Sequence, residues 1–414
     1  MEPYYNWLNS LVNDSKTNFA EWDKLKWLNS SQARKAQEKK DELLEKLNGN
    51  KLFKDTKPYH NRISNGCKLC GLGQWSCLFI TGKCNAGCFY CPASQTADHV
   101  PTTQNLDFHS PSEYAEYVNH FNFKGVSFSG GEPLLYFDRT LEYLKQVRKK
   151  CRPETYAWMY TNGILADTQK LRKLAATGLN EIRFDIGATA YSLEKVKLAK
   201  GLVPNVTIEI PAVSEQKEKI KQLLPQMMKA GVTNLNLHQL RLTKHNVRNL
   251  SKRNYTYIPA EQPIVLESEL AALEILNYAH EHNLDIGINY CSFHFKNRFQ
   301  KAGFRQKVAS ALAGPDEVLT QNGYVREFNG NTIAYKAIRI VDKPDEKRPM
   351  ETMELAGRKY YFFREQLMKP TSIGPEEREE VEELLKKEPT EIPSDALLFR
   401  IWQLEYVEKG LREY

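Results

Sequence analysis

Residues 84–92 read CNAGCFYCP and place cysteines at positions 84, 88 and 91. Cys67, Cys70 and Cys77 come shortly before them, so six of the eight cysteines of the chain fall between positions 67 and 91. Thiolates spaced this closely are typical of iron–sulfur and zinc sites. Structural zinc and ferredoxin-type clusters each take four protein ligands, whereas residues 84–92 supply only three. Three thiolates on a four-iron cluster leave one iron free to bind a further ligand. This open position indicates a reactive site rather than a purely structural one.

Strand and helix patterns alternate around this stretch. Short runs rich in β-branched and aromatic residues predict strands in WSCLFITG, KGVSFSGG, ETYAWMYTNG, LNEIRFDIG, NVTIEIPAV, TNLNLHQL and LDIGINYCS. Helical patterns lie between them; in residues 138–151, Leu141, Leu144, Val147 and Cys151 share one face. This alternation predicts an α/β fold with βαβ units and a parallel sheet. Right-handed crossovers would curl that sheet into a partial or complete (β/α) barrel.

We expect the chain to have an N-terminal, a central and a C-terminal region. Residues 1–60 are predicted to be a helical, polar N-terminal extension, and residues 61–304 to hold the barrel with the preceding cysteine-rich segment. Residues 305–414 break the alternation and are predicted to form a C-terminal α+β extension. A hairpin around Asn329-Gly330 and a helix with Pro375 in its first turn are expected there.

The composition excludes several classes of protein. No apolar run is long enough to span a membrane, so no membrane partner is expected. The first residues lack a basic start followed by an apolar stretch, which predicts a cytoplasmic protein in which disulfides are rare. The net charge of +7 permits an anionic partner without requiring one.

The spacing Cys84-x3-Cys88-x2-Cys91, with Phe89 and Tyr90 before the last cysteine, resembles the motif of the radical S-adenosylmethionine (SAM) family. The resemblance implies that these cysteines ligate a [4Fe-4S] cluster whose open iron chelates SAM. An electron from the cluster would then cleave the sulfonium to methionine and a 5′-deoxyadenosyl radical, which abstracts hydrogen from a substrate. A reductant protein such as ferredoxin or flavodoxin is implied as a partner.

A second segment, FSGGEP at 128–133, resembles the part of the family that holds the methionine amine of SAM, here through Gly130, Gly131 and Glu132. Glycines let backbone carbonyls approach an ammonium group, and a carboxylate adds a charge-assisted hydrogen bond. A simple turn is the alternative interpretation of this segment.

Polar residues end the later predicted strands, where a purely structural strand would stay apolar. They are Thr161, Asn162, Arg183, Asp185, Glu209, His238, Gln239 and Asn289. By the same resemblance, the third to fifth strands help to bind the SAM carboxylate and ribose, through Thr161, Asn162, Arg183, Asp185 and Glu209, and Tyr90 lies beside the adenine. Ordinary capping and solvation of strand ends is the alternative for each residue.

The remaining cysteines suggest a second metal site. Cys67-x2-Cys70 has the spacing of a metal knuckle, and Cys77 and Cys291 are the candidates for further ligands. We favour an auxiliary iron–sulfur cluster held by Cys67, Cys70 and Cys291, with Cys77 as a candidate fourth ligand. The alternatives are a structural zinc with similar ligands, or no metal and a Cys77 that is a small core residue. Cys151 is expected to be an inert residue of a helix face.

Residues 65–300 as a whole resemble an archaeal-type group of radical SAM proteins described as distant relatives of pyruvate formate-lyase activating enzymes. Two basic, aromatic stretches, residues 241–253 and 295–307, favour an anionic or macromolecular substrate, with RNA or peptide modification as the leading hypothesis. The alternatives are activation of a glycyl-radical enzyme and, from another class, a non-catalytic iron–sulfur electron carrier or a zinc-stabilised RNA-binding module.

Overall fold

The computed structural model describes residues 2–18, 21–411 and 414 of the chain. The N-terminal elements are α1 (Glu2–Asn18), β1 (Lys26–Trp27), α2 (Ser30–Glu45), β2 (Lys51–Leu52) and β3 (Lys57–His60). Helix α2 begins with a capping box, in which the Asn29 side chain accepts a hydrogen bond from the backbone N–H of Gln32. The segment 1–60 is thus not wholly helical, because it ends in a strand that joins the central sheet.

The central region alternates strands and helices. It contains α3 (Asn65–Gly71), β4 (Trp75–Thr81), β5 (Thr102–Thr103), β6 (Leu106–Asp107), α4 (Pro111–His120), β7 (Gly125–Gly130), α5 (Phe137–Lys150), β8 (Tyr156–Thr161), α6 (Thr168–Ala176), β9 (Glu181–Phe184), α7 (Glu194–Lys197), β10 (Asn205–Pro211), α8 (Lys217–Lys229), β11 (Asn234–His238), α9 (Val247–Leu250), β12 (Thr256–Ile258), β13 (Ile264–Val265), α10 (Leu266–Glu281) and β14 (Gly287–Cys291). Strands β4, β7, β8, β9, β10, β11 and β14 pair in this order and run parallel. Each predicted strand is therefore confirmed.

Successive side chains of these strands point to opposite faces of the sheet. One face is apolar and packs against the helices, as Val126 of β7, Ile182 of β9 and Leu235 of β11 do in the main hydrophobic core. The other face carries polar residues such as Ser127, Arg183 and Asn236, which are also buried. The curled sheet thus encloses a polar interior.

The barrel is partial. Among the described strands, β4 and β14 do not pair with each other; the β5–β6 hairpin borders β4, and β3 runs antiparallel beside β14. Helix α3 lies against the inner face of the sheet. A Cβ on Gly66 of this helix would come within 2.3 Å of Arg183 Nη2, and Ser64, its N-cap, accepts a hydrogen bond of 3.1 Å from the same atom. The cysteines of α3 are therefore carried into the barrel.

The C-terminal elements are α11 (Phe293–Phe295), a π-helical turn (Lys296–Gln300), α12 (Lys301–Leu312), β15 (Val318–Leu319), β16 (Val325–Phe328), β17 (Thr332–Val341), β18 (Glu351–Leu355), β19 (Arg358–Ser372), α13 (Pro375–Lys386) and α14 (Ala396–Glu405). The predicted hairpin connects β16 to β17, and Pro375 begins α13 as expected. The predicted boundary between residues 304 and 305 falls inside α12, where Phe304 stacks on Phe123 with ring centroids 6.0 Å apart. None of the described helices is long and apolar enough to cross a membrane.

Candidate functional site

A cavity of about 500 Å³ opens at the carboxyl ends of the parallel strands. Its lining includes Cys84, Cys88, Tyr90, Cys91, Gly130, Gly131, Thr161, Asn162, Arg183, Asp185, Glu209, His238 and Gln239. Residues that sequence analysis took from separate strands thus meet in one place, as expected where strands end at a common edge.

The cysteine loop is held by its own backbone. The N–H of Cys84 donates to the carbonyl of Gln95 at 3.0 Å, and the N–H of Cys91 donates to the carbonyl of Cys88 at 3.1 Å. The three thiols are free and half-buried. Burial raises the pKa of Cys88 to about 12, and Asp185 adds to the rise. At neutral pH this group is therefore a thiol unless a cation binds the sulfur and displaces its proton.

Gly130 and Gly131 allow the cysteine loop to lie directly on the end of β7. Gly130 has a φ of +122°, and a Cβ there would be 2.2 Å from the carbonyl oxygen of Thr81. A Cβ on Gly131 would be 2.0 Å from the carbonyl oxygen of Lys83, next to Cys84. The close approach of the Thr81 and Lys83 backbone thus requires glycine at both positions. This requirement is independent of the predicted contact with an ammonium group.

Glu132 differs from its predicted role. Its side chain is fully buried, and its carboxylate accepts hydrogen bonds from the backbone N–H groups of Leu134 (2.9 Å) and Asn162 (2.7 Å) and from the Thr161 hydroxyl (2.9 Å). These donors hold it away from the cavity lining. The carboxylate therefore ties the end of β7 to the end of β8 and positions Asn162, whose amide lies 3.6 Å from the Cys84 sulfur.

Tyr90 is fixed at both ends. Its hydroxyl donates to the Asp185 carboxylate, with O···O distances of 2.8 and 3.0 Å, and its carbonyl accepts from Asn246 Nδ2 at 3.1 Å. Burial raises the pKa of Asp185 to about 6, although the Tyr90 hydroxyl opposes the rise. Sequence analysis missed Asn246, which lies in a loop and carries no local signal of this contact.

Arg183 and Glu209 line the cavity but are already paired. The Arg183 guanidinium is buried and donates to Glu181 (2.9 Å) and to Glu209 (2.7 Å). Glu209 also faces His238 Nε2 at 2.5 Å, and Lys296 Nζ lies 2.6 Å from Nδ1 of the same ring. Glu181 was missed, although an acid and a base two residues apart on a strand share a face. These pairings already occupy the Arg183 guanidinium, and its contact with SAM stays a prediction.

The His238 contacts predict a pH effect on stability. Burial, together with the Lys296 charge, lowers the pKa of His238 to about 4. Because the folded pKa lies below the unfolded value, this group contributes stability above about pH 6.5, which is lost as the pH falls toward 4. When the pH falls from about 7 to about 4, the free energy of unfolding of wild type should drop by roughly 2–3 kcal/mol more than that of His238→Gln. Urea denaturation at both pH values measures the difference. The exposed His245→Gln serves as control, and an equal loss in both variants would contradict the assignment.

A second group of thiols lies behind the cavity. Cys67 and Cys70 of α3 meet Cys291 at the end of β14, with the Asn289 amide between them: its Nδ2 is 3.9 Å from the Cys67 sulfur, and its Oδ1 is 3.4 Å from the Cys291 sulfur. Cys77 was predicted as a candidate fourth member. The structure instead groups Cys77 with Ser127, opposite it on β7, because both occupy inner-face positions of paired strands.

Neither thiol group is closed around an ion. Within the described residues, no three His, Cys, Asp or Glu side chains are arranged so that they could hold a metal ion as they stand. Binding at either place therefore requires thiol side chains to turn.

Residues 78–224 match the family model described as the Radical SAM superfamily. The chain carries a radical SAM domain. This match begins in β4 and ends in α8, and it contains the cysteine loop and the Gly130-Gly131 segment.

This chain is also similar to a curated protein and to several solved structures. A protein of Methanocaldococcus jannaschii, named as a candidate activating enzyme of a glycyl-radical enzyme, is 28% identical over 304 residues, which cover 70% of this chain and 77% of the relative. Streptococcus suis SuiB bound to the precursor peptide SuiA aligns with 60% of this chain and 57% of its own, at 11% identity and a TM-score of 0.37. Native anSMEcpe with bound AdoMet and the Cp18Cys peptide aligns with 39% of this chain and 50% of its own, at 16% identity and a TM-score of 0.30. The chain thus spans only about half the length of these solved structures.

Proposed function

We propose that this protein is a radical SAM enzyme whose [4Fe-4S] cluster is held by Cys84, Cys88 and Cys91. The observation that carries the proposal is that these thiols and the backbone of Gly130-Gly131 line one cavity. The donor set fits the cluster, because three soft thiolates leave an iron open for a further ligand. The loop is fixed at Cys84 and Cys91 through its backbone, so the thiol side chains can turn without unfolding it.

When bound, the cluster and SAM supply a reductive cleavage of the sulfonium that yields methionine and a 5′-deoxyadenosyl radical. The protein contributes binding, orientation and exclusion of water. The Gly130-Gly131 backbone is proposed to face the amino group of SAM. Thr161 at the end of β8 and Asn162 directly after it, together with Asp185 and Tyr90, supply polar groups for its carboxylate and ribose. Arg183 and Glu209 form an ion pair with one another, which holds the end of β9 against β10.

The substrate is proposed to be anionic, because Arg241, Lys296 and Lys301 also line the cavity. Within the described residues, the Gln239 side-chain Nε2 has no hydrogen-bond partner, although Gln239 is buried and lines the same cavity. A free donor amid cationic side chains suits a carboxylate or a phosphate. Two other basic residues of the predicted stretches are paired elsewhere: Arg253 pairs with Glu215, and Arg298 pairs with Glu261 and Glu408.

A protein or peptide substrate is proposed ahead of RNA. The relative from M. jannaschii, which this chain matches over most of its length, is named as a candidate activating enzyme, and such an enzyme acts on a protein. Activation of a glycyl-radical enzyme is therefore the second candidate function. A ferredoxin or flavodoxin is proposed as the reductant.

Anaerobic reconstitution with iron and sulfide, followed by dithionite and SAM, is expected to yield 5′-deoxyadenosine and methionine in equal amounts. The measurement is quantitative chromatography of both products. Reconstituted protein that binds iron but forms neither product would contradict the proposal and would favour a non-catalytic iron–sulfur carrier. Stoichiometric zinc without iron would favour a zinc-stabilised RNA-binding module.

A second experiment distinguishes peptide modification from activation of a glycyl-radical enzyme. A glycyl radical detected by electron paramagnetic resonance (EPR) on a partner protein from the same cells would support activation. A product with altered mass in an anionic peptide fraction would support peptide modification.

A further inference from the structure

The thiols of Cys67, Cys70 and Cys291 are brought together inside the barrel by elements far apart in the chain. Cys67 and Cys291 are buried, and Cys70 is half-buried. Helix α3 is packed so closely on the sheet that a Cβ on Gly66 would strike the Arg183 guanidinium. The fold thus places a rigid Cys-x2-Cys turn opposite the end of β14, although simple core packing would not need thiols at these positions.

A buried ammonium group faces these sulfurs. Lys57 on β3 is only 1% exposed, and its Nζ lies 2.6 Å from the Cys291 sulfur and 4.5 Å from the centre of the Phe295 ring. A buried cation is costly unless a negative charge compensates it. The aromatic ring carries no net charge, whereas metal-bound thiolates would supply the negative charge that the ammonium group needs.

The thiol group also borders the main cavity. Gln300 Nε2 lies 2.6 Å from the Cys70 sulfur, and Gln300 lines the cavity that the radical SAM cysteines share. On the other side, Asn289 donates to Asn236 at 2.5 Å, and Asn236 donates to Glu209 of the cavity wall at 2.9 Å. Polar contacts therefore connect the second thiol group to the wall of the main cavity.

We propose that Cys67, Cys70 and Cys291 hold a second iron–sulfur cluster, distinct from the one at Cys84, Cys88 and Cys91. On binding, each thiol gives up its proton and forms a bond to iron. Iron–sulfur is favoured over zinc because three thiolates can hold a four-iron cluster with one open iron, whereas structural zinc closes its tetrahedron with a fourth protein ligand. The proposal does not rest on the proposed function, since it concerns metal content alone.

Iron and acid-labile sulfide counts on anaerobically reconstituted full-length protein test the proposal. The Cys84→Ala/Cys88→Ala/Cys91→Ala variant is expected to retain about half of the wild-type iron and sulfide, because clusters of one type contribute equally. Its residual EPR signal after reduction reports the second cluster in a protein whose second thiol group is untouched. The Cys67→Ala/Cys70→Ala/Cys291→Ala variant should lose the complementary half, and Cys151→Ala, a buried cysteine outside both groups, should lose none.

Absence of iron and of an EPR signal in the first variant would overturn the proposal, as would zinc in place of the missing iron. Because that variant keeps the second thiol group intact, misfolding of the second-site variant does not affect this result. Lys57→Met in the first variant background should shift the reduction potential of the residual cluster to a more negative value, since a nearby cation stabilises the reduced form. An unchanged potential would overturn the placement of the cluster beside Lys57. SAM cleavage is measured separately, so a failure of the proposed function can be distinguished from a failure of the second-cluster proposal.

Discussion

Replacing Cys88 with alanine is expected to abolish formation of 5′-deoxyadenosine. Cys88 lies in the middle of the cysteine loop and lines the cavity with Gly130 and Gly131. A thiolate lost from a set of three leaves too few ligands to hold a cluster with an open iron. The measurement is 5′-deoxyadenosine per chain after anaerobic reconstitution, reduction and addition of SAM.

Cys151→Ala is the matched control for this prediction. Cys151 follows α5, is buried in the main core and does not line the cavity, so its variant should keep full SAM cleavage. Iron in Cys88→Ala should fall by about half, because the second thiol group stays intact. Wild-type product yield from Cys88→Ala would show that the cysteine loop does not hold the catalytic cluster.

Gly131→Ala is expected to lower the free energy of unfolding by about 2–4 kcal/mol and to displace the cysteine loop. The added Cβ would lie 2.0 Å from the carbonyl oxygen and 2.4 Å from the carbonyl carbon of Lys83, both backbone atoms that cannot rotate away. The hydrogen bond of 2.8 Å from the Glu132 N–H to this carbonyl would break or stretch. Urea denaturation measures the loss of stability, and product formation measures the displacement.

Gly87→Ala is the matched control, because it adds the same methyl group within the cysteine loop without a steric clash. A Cβ on Gly87 would meet nothing within 4 Å, so its effect on stability should stay within about 0.5 kcal/mol. If both variants unfold at the same urea concentration as wild type, the close approach of the cysteine loop to β7 is wrong. A loss in Gly131→Ala alone would support it.

Local patterns in the sequence were enough to predict the central architecture. Short runs rich in β-branched and aromatic residues predicted β4, β7 to β11 and β14, and helical spacing of Leu141, Leu144 and Val147 predicted the buried face of α5. Polar residues at strand ends predicted the cavity lining, because parallel strands end at one edge. Glu132 was predicted less well, since its burial depends on backbone donors that two neighbouring strands supply together.

The sequence alone determined the cysteine spacing, the strand–helix alternation and the glycines at the end of β7, because these features depend on residues close together in the chain. The tertiary structure alone decided that Cys291 meets Cys67 and Cys70, that Lys57 faces these sulfurs, and that Arg183 is paired with Glu209. Such contacts depend on how far the sheet curls and on which helix fills its interior. They join residues from separate elements, and no short-range pattern specifies them.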